Sequence, residues 1–454
     1  MTTLRITPGG SLEGSTRVPG DKSIAHRWLL LAAMAAGRSR LVQVPPSLDV
    51  RSTASCLMAI APTTRAALEG WLRKDALPDE GHGSTWNPEG PRGVVTGLEV
   101  EGEGRDRLVA ADLDCGNSGT TMRLLTGLLA GVGGRSVLDG DRSLRSRPME
   151  RVAAPLREMG ADVRTTDGGP PVRVEGGSLH AITYLSPVPS AQVKSAILLA
   201  GLAAEGETVV EEAAATRDHT ERALEALGGP VLAAPGRVSL RGFQHGGFAG
   251  TVPGDPSAAA FLVGAAALTG SELTIHDVGL NPSRTRFLDV LARMGVRTRQ
   301  RVEGHEVGEP VGELHVEPCD RLVGTRIEPE ELPLVIDEVP LLAALAAHAK
   351  GETWFLGASE LRVKESDRVA SIAEGLRSLG GLAGDEGSDL VVAGGGLDGG
   401  TASSGGDHRM AMAFVVAALA ASGASSVEGV EAADVSFPGF AATLRSLGAP
   451  VEAA

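Results

Sequence analysis

The feature that most constrains this chain is an internal echo: Val18-Pro19-Gly20-Asp21-Lys22-Ser23 returns as Val252-Pro253-Gly254-Asp255-Pro256-Ser257, 234 positions later in a chain of 454 residues. Each copy follows a short β-like run and precedes an Ala- and Leu-rich stretch, with Asp or Ser placed to cap its first helical turn. A repeat at half the chain length implies two homologous halves. Two halves also suit the length, which exceeds what one apolar core usually organises.

A finer repeat lies inside the halves. An amphipathic helix ends in Leu-Gly or Met-Gly and a β-like run follows, as in Leu156-Arg157-Glu158-Met159-Gly160-Ala161-Asp162-Val163. The glycine is a helix-stop signal. It recurs at Gly228, Gly295, Gly380 and Gly448, with spacings of 68, 67, 85 and 68 residues, and a degenerate sixth copy is read at Cys56-Leu57-Met58-Ala59-Ile60. Six units, three per half, are therefore expected. Residues 62–100, rich in Pro and Gly, read as a surface insertion in the first unit. The expected division is one domain over 21–250 and a second combining 1–20 with 251–454, with hinges near 19–21 and 250–254.

Bulk properties exclude some functions. A net charge of −15 and 3% aromatic residues leave neither the cationic field nor the stacking platforms that nucleic-acid binding needs. Cys56, Cys115 and Cys319 are isolated, without CxxC spacing, so neither a disulfide framework nor a cysteine zinc site is indicated. The first eleven residues have no apolar segment, and the longest apolar run, Ala411 to Ala421, is too short to span a bilayer. A cytoplasmic monomer acting on small molecules, without nucleic acid, membrane, metal or organic cofactor, is the expectation.

Against this acidic background, cations cluster at predicted helix starts, where free N–H groups and the helix dipole favour anions. Lys22, Ser23 and Arg27 open one helix, and Lys22 and Arg27 could both reach the same helix end; a capped helix with solvated charges is the equal alternative. Asn117, Gly119 and Thr120 belong to a glycine-bearing turn, Asp114-Cys115-Gly116-Asn117-Ser118-Gly119-Thr120-Thr121-Met122-Arg123, that suits phosphate or carboxylate. Arg142, Arg145 and Arg147 lie within six residues before Pro148. Ser190 and Gln192, flanking Ala191, open a further apolar helix and could hydrogen-bond a polyol ring. Arg217 starts another helix in Thr216-Arg217-Asp218-His219-Thr220-Glu221. Asp337 is read between a β-like Leu334-Val335-Ile336 and an apolar helix, a setting that raises a carboxyl pKa and suits a base; an N-cap is the alternative. Lys364, Glu365 and Arg368 stand in a dense run of charge, whose default reading is a solvated face. His408 and Arg409 open the most apolar helix, where an arginine suits an anion.

Taken together, PGDKSIAHR, GNSGTTMR, RSRPM, SAQVKSA, TRDHTE, IDE, RVKESDR and DHRMAM follow the order and register of the 5-enolpyruvylshikimate-3-phosphate synthase family, which the chain resembles over nearly its whole length. SAQVKSA with TRDHTE resembles the class II branch. The resemblance implies an α/β fold of two domains, each an inside-out α/β barrel of three βαβαββ repeats with mixed parallel and antiparallel sheets around buried helices. It implies that Lys22, Ser23, Arg27, Ser190, Ala191, Gln192, Arg217, Asp337 and Lys364 bind shikimate 3-phosphate. Phosphoenolpyruvate is then expected to meet Lys22, Asn117, Gly119, Thr120, Arg147, Gln192, Glu365, Arg368, His408 and Arg409. Asp337 is the expected base on the sugar-ring 5-hydroxyl, and Glu365, helped by Lys22, the acid toward the methylene carbon. The chain departs from the family at Ala191, which class II members share, and at Val435, where many members carry a lysine. The rival expectations are the sister transferase acting on UDP-N-acetylglucosamine, which carries a catalytic loop cysteine, and a noncatalytic phosphometabolite-binding protein on the same repeats.

Overall fold

A computed structural model describes residues 2–74 and 97–454. Its architecture follows from six helices that are apolar all round. Lys22–Met34, Gly119–Ala130, Ala191–Gly201, Pro256–Thr269, Val339–His348 and His408–Ala418 bury nearly every side chain. A helix with no polar face can only lie inside a core. The buried apolar side chains fall into two clusters accordingly. One holds residues between Ile24 and Val252; the other joins Leu4, Ile6, Leu12 and Val18 to residues from Ala258 onward.

Six sheets surround these helices and share one pattern, a parallel pair at one edge followed by antiparallel neighbours. In one, Leu113–Asp114 runs parallel to Gly134–Asp139, which pairs antiparallel with Gly169–Gly176, and that strand with Asp162–Thr166. The sheet around Glu352–Phe355 has the same order. A seventh, two-stranded parallel sheet joins Leu179–His180 to Ala204–Glu205. The α/β class with mixed sheets is thus observed.

The amphipathic helices Glu150–Glu158, His219–Ala226, Arg286–Arg293, Arg368–Ser378 and Phe440–Ser446 each end two positions before a glycine at φ between 83° and 105°, and each is followed by a strand. Those glycines occupy the left-handed region that other residues enter only at a cost, so the chain reverses there.

Two readings of the sequence need correction. The β-like run ahead of the first echo is two strands, Thr3–Ile6 and Ser15–Arg17, that enter different sheets. Residues 62–100 are no surface insertion at their ends: Arg65–Lys74 is a helix that buries Leu68 and Trp71, and Leu98–Glu103 pairs along Ala36–Val42. The proline-rich middle lies outside the described residues.

At the two echo sequences the chain passes between the clusters, and the passages are tied reciprocally. Asp21 N–H donates to Pro253 C=O, and Asp255 N–H to Pro19 C=O, both at 2.8 Å. Gly20 approaches so closely that a Cβ there would lie 2.2 Å from the Gln43 carbonyl oxygen, which explains glycine at this position.

Candidate active site

The buried helices start at one cavity. Lys22 and Gly119 are the first residues of their helices, Gln192 the second of its helix, and His408 and Arg409 the first two of theirs; all line it, as does Asp337 just ahead of Val339–His348. Capping explains why the helices start there. Asp21 accepts from Ser23 and Ile24 N–H, Ser118 from Thr121, Ser190 from Val193 and Asp407 from Arg409. Five helix N-termini therefore face a space of about 310 Å³, with their dipoles favouring negative charge.

Side chains from both clusters meet across this space. Arg217 is 2.5 Å from Asp337, Arg147 is 3.9 Å from Glu365, and Arg409 donates to Asp337 C=O at 2.9 Å. Lys22 pairs with Asp49 at 3.1 Å. Gln192 donates to Thr120 at 2.8 Å and accepts from Arg123. Ser23, Ala191, Ser190 and Lys364 complete the predicted residues that line the cavity.

Three predicted residues do not line it. Arg27 turns back along its own helix, donating to Ser23 C=O, Ser195 and Thr220, each at 2.8 Å. Lys22 and Arg27 both reach the start of the helix, but only Lys22 faces the cavity. Arg368 is fully buried behind the wall, 2.8 Å from both Glu365 and Asp407. Asn117 precedes the capping Ser118 and is also outside the lining. Conversely, Asp49, Arg123 and Arg151 line the cavity without having been assigned a role. For Asp49 a signal existed in Pro45-Pro46-Ser47, which marks a helix start; for the two arginines, spacing four residues from Gly119 and Arg147 was the only hint.

Electrostatics at the two acids also corrects an expectation. Leu332–Val335 is a short helix, not a strand. Burial alone would raise the Asp337 carboxyl, but Arg409, Arg217 and Lys364 together hold it well below the ordinary carboxylate range. Glu365 behaves likewise, with burial outweighed by Arg368, Arg147 and Lys22. Both are anions here. Burial, reinforced by Lys22 and Arg409, brings the His408 pKa down to about 3 and keeps its ring neutral. Among the described residues no group of three or more His, Cys, Asp or Glu side chains is arranged to hold a metal ion, and no helix is long and apolar enough to cross a membrane.

Comparison with known proteins returns one family. The model of EPSP synthase (3-phosphoshikimate 1-carboxyvinyltransferase) matches residues 6–86 and 93–444. A 3-phosphoshikimate 1-carboxyvinyltransferase of Acidithiobacillus ferrooxidans is 44% identical over 100% of both chains. That of Halorhodospira halophila is 47% identical over 99% of this chain and 96% of its own. A solved EPSP synthase from Acinetobacter baumannii superposes with a TM-score of 0.82 at 38% identity, covering 100% of each chain.

Proposed function

The chain belongs to the EPSP synthase family and transfers the enolpyruvyl group of phosphoenolpyruvate to the 5-hydroxyl of shikimate 3-phosphate in the shikimate pathway; from this premise we propose how its residues do so. The observation that carries the proposal is that Lys22, Arg147, Asp337, Glu365 and Arg409, drawn from widely separated segments, line one cavity. Two multiply charged anions require such a density of guanidinium and ammonium groups.

Shikimate 3-phosphate occupies the part of the cavity bounded by Lys22, Ser23, Ser190, Ala191, Gln192, Arg217, Asp337 and Lys364. Phosphoenolpyruvate lies against Lys22, Gly119, Thr120, Arg147, Gln192, Glu365, His408 and Arg409. Arg27 acts from beneath by fixing Ser23, and Arg368 by fixing Glu365, while Asn117 shapes the turn before Gly119. Asp337 accepts the proton of the 5-hydroxyl as that oxygen attacks C2 of phosphoenolpyruvate. Glu365, with Lys22, delivers a proton to the methylene carbon, and a tetrahedral ketal phosphate forms. Elimination then breaks the bond from C2 to the phosphate oxygen, the electron pair leaves with phosphate, and Glu365 takes back a methyl proton as the enol double bond returns.

The ionised state suits Asp337 as the base, whereas Glu365 must take up a proton before it can deliver one. Each is held down by cations that the substrates would neutralise, so bound phosphate and carboxylate groups raise both pKa values toward the range where protons can be exchanged.

The architecture we propose is two domains, 21–250 and 1–20 with 251–454, each a three-repeat α/β prism, hinged near 19–21 and 250–254. Two apolar clusters and six sheets of one pattern support it. Closure of the domains would exclude water from the cavity. With three free cysteines, Cys56 and Cys115 of them buried, the cytoplasm is the compartment that suits it. Burial of Cys115 also removes the accessible loop thiol that the sister transferase would need.

Phosphate release measured with shikimate 3-phosphate and with UDP-N-acetylglucosamine as acceptors tests the reading; turnover with the second alone would overturn it. Glu365→Gln should keep substrate affinity and lose about 100-fold or more in kcat. Undiminished turnover in that variant would remove Glu365 from the chemistry.

A further inference from the structure

Arg123 and Arg151 stand out among the arginines lining the cavity because the other arginines there have acidic partners. Lys22 faces Asp49, Arg217 and Arg409 face Asp337, and Arg147 faces Glu365. Among the described residues neither Arg123 nor Arg151 forms an ion pair. Arg123 is only 6% exposed, yet it lines the cavity; it donates to Gln192 and, at 3.4 Å, to Pro148 C=O. Its Nε is buried without a hydrogen-bond partner, and so is that of Arg151. A buried Nε–H without an acceptor is costly, so a pair of them persists where a ligand supplies the missing acceptors.

The location says which ligand. Arg147 and Arg123 both press on the start of Gly119–Ala130: a Cβ on Gly119 would lie 3.1 Å from Nη1 of each. Arg151 is the second residue of the helix Glu150–Glu158, four positions after Arg147. Burial together with the neighbouring Arg151 and Arg147 lowers the Arg123 pKa to about 9, which reports mutual repulsion within the trio. Three guanidiniums at a helix N-terminus, with only Glu365 opposite, make a site for a compact dianion presenting several oxygens.

We propose that Arg151, with Arg123 behind it, completes a phosphate subsite next to Arg147 that holds the phosphoryl oxygens of the donor and retains inorganic phosphate after elimination. The assignment rests on the proposed function for the donor's position, but its binding chemistry can be read without turnover. When the C2–O bond breaks, the departing oxygen gains an electron pair, and the additional guanidinium stabilises that charge where it develops.

The test is calorimetric titration of inorganic phosphate, and separately of shikimate 3-phosphate, into the wild-type chain and into Arg151→Gln, Arg151→Lys and Arg145→Gln. Arg145 serves as the control because it is an exposed partner of Asp139 outside the cavity. The expected result is phosphate affinity weakened about 10-fold or more in Arg151→Gln, a smaller loss in Arg151→Lys, no change in Arg145→Gln, and shikimate 3-phosphate affinity within about twofold throughout. The KM for phosphoenolpyruvate should rise in parallel. Unchanged phosphate affinity in Arg151→Gln, or an equal loss of shikimate 3-phosphate affinity, would overturn the subsite. Should the wild type show no turnover with shikimate 3-phosphate, the functional reading fails instead, and phosphate affinity still decides the subsite.

Discussion

His26 illustrates how single residues set the chain's response to acid. Its Nδ1 lies 2.6 Å from Thr53 Oγ1, its Nε2 is buried without a partner, and burial pushes its pKa from 6.5 down to about 3. The folded state therefore refuses a proton that the unfolded chain takes up. With the folded pKa depressed, stability is fully present above 6.5 and is lost as pH falls toward 3. Between pH 6.5 and pH 5 the loss from His26 alone is on the order of 2 kcal/mol. Denaturant titrations at pH 7 and pH 5 should show it, and His26→Gln should flatten the dependence; an unchanged slope would mean the ring protonates in place. At this scale the sequence was most legible where chemistry demands a residue type, as at Lys22, Arg217, Glu365 and Arg409. It was least legible where burial decides. Nothing in the spacing of Arg27 and Arg368 says that their guanidiniums end beneath the cavity wall, because that depends on neighbours such as Thr220 and Asp407 far along the chain.

Among the elements, close helix contacts decide which glycines matter. Gly127 lies where Gly119–Ala130 meets Ala191–Gly201, and a Cβ there would fall 2.2 Å from the Ala196 carbonyl oxygen. Gly127→Ala must push two buried helices apart, and both carry cavity residues at their starts. A loss of about 1–3 kcal/mol in stability is expected, with weakened substrate binding. Gly70, inside Arg65–Lys74, has nothing within 4 Å of its missing Cβ, so Gly70→Ala should stabilise by about 0.5–1 kcal/mol. Thermal unfolding of the two variants checks the opposite signs. The glycine-stopped helices were readable because glycine at C′ is a local requirement. The short helix Leu332–Val335 was not, since its four residues fit strand and helix equally and the surrounding core chose.

For the molecule as a whole, the crossing point is the most strained in charge. Arg284, 2% exposed, pairs with Asp21 and, at 2.8 Å, with Asp255, the two helix caps of the echo sequences. One guanidinium thus neutralises both passages between the apolar clusters. Arg284→Met would leave two buried carboxylates facing each other, and a loss of about 3–5 kcal/mol is expected. The loss should shrink when Asp21→Asn is added, and additive effects in thermal melts would show that the charges do not communicate. The echo itself was plain in the sequence, whereas Arg284 was invisible there because its partners lie 263 and 29 positions away.

The strand Thr3–Ile6 sits inside its sheet, between Ser425–Glu428 and Val451–Ala453. A ribosome makes that strand long before both its neighbours. Throughout translation its edges stay without partners, while the sheet that takes in Ala249–Thr251 can be finished midway. Newborn chains therefore carry an early segment that waits for strands encoded far downstream, and a product cut short before Ser425 should leave Thr3–Ile6 loose and open to proteolysis.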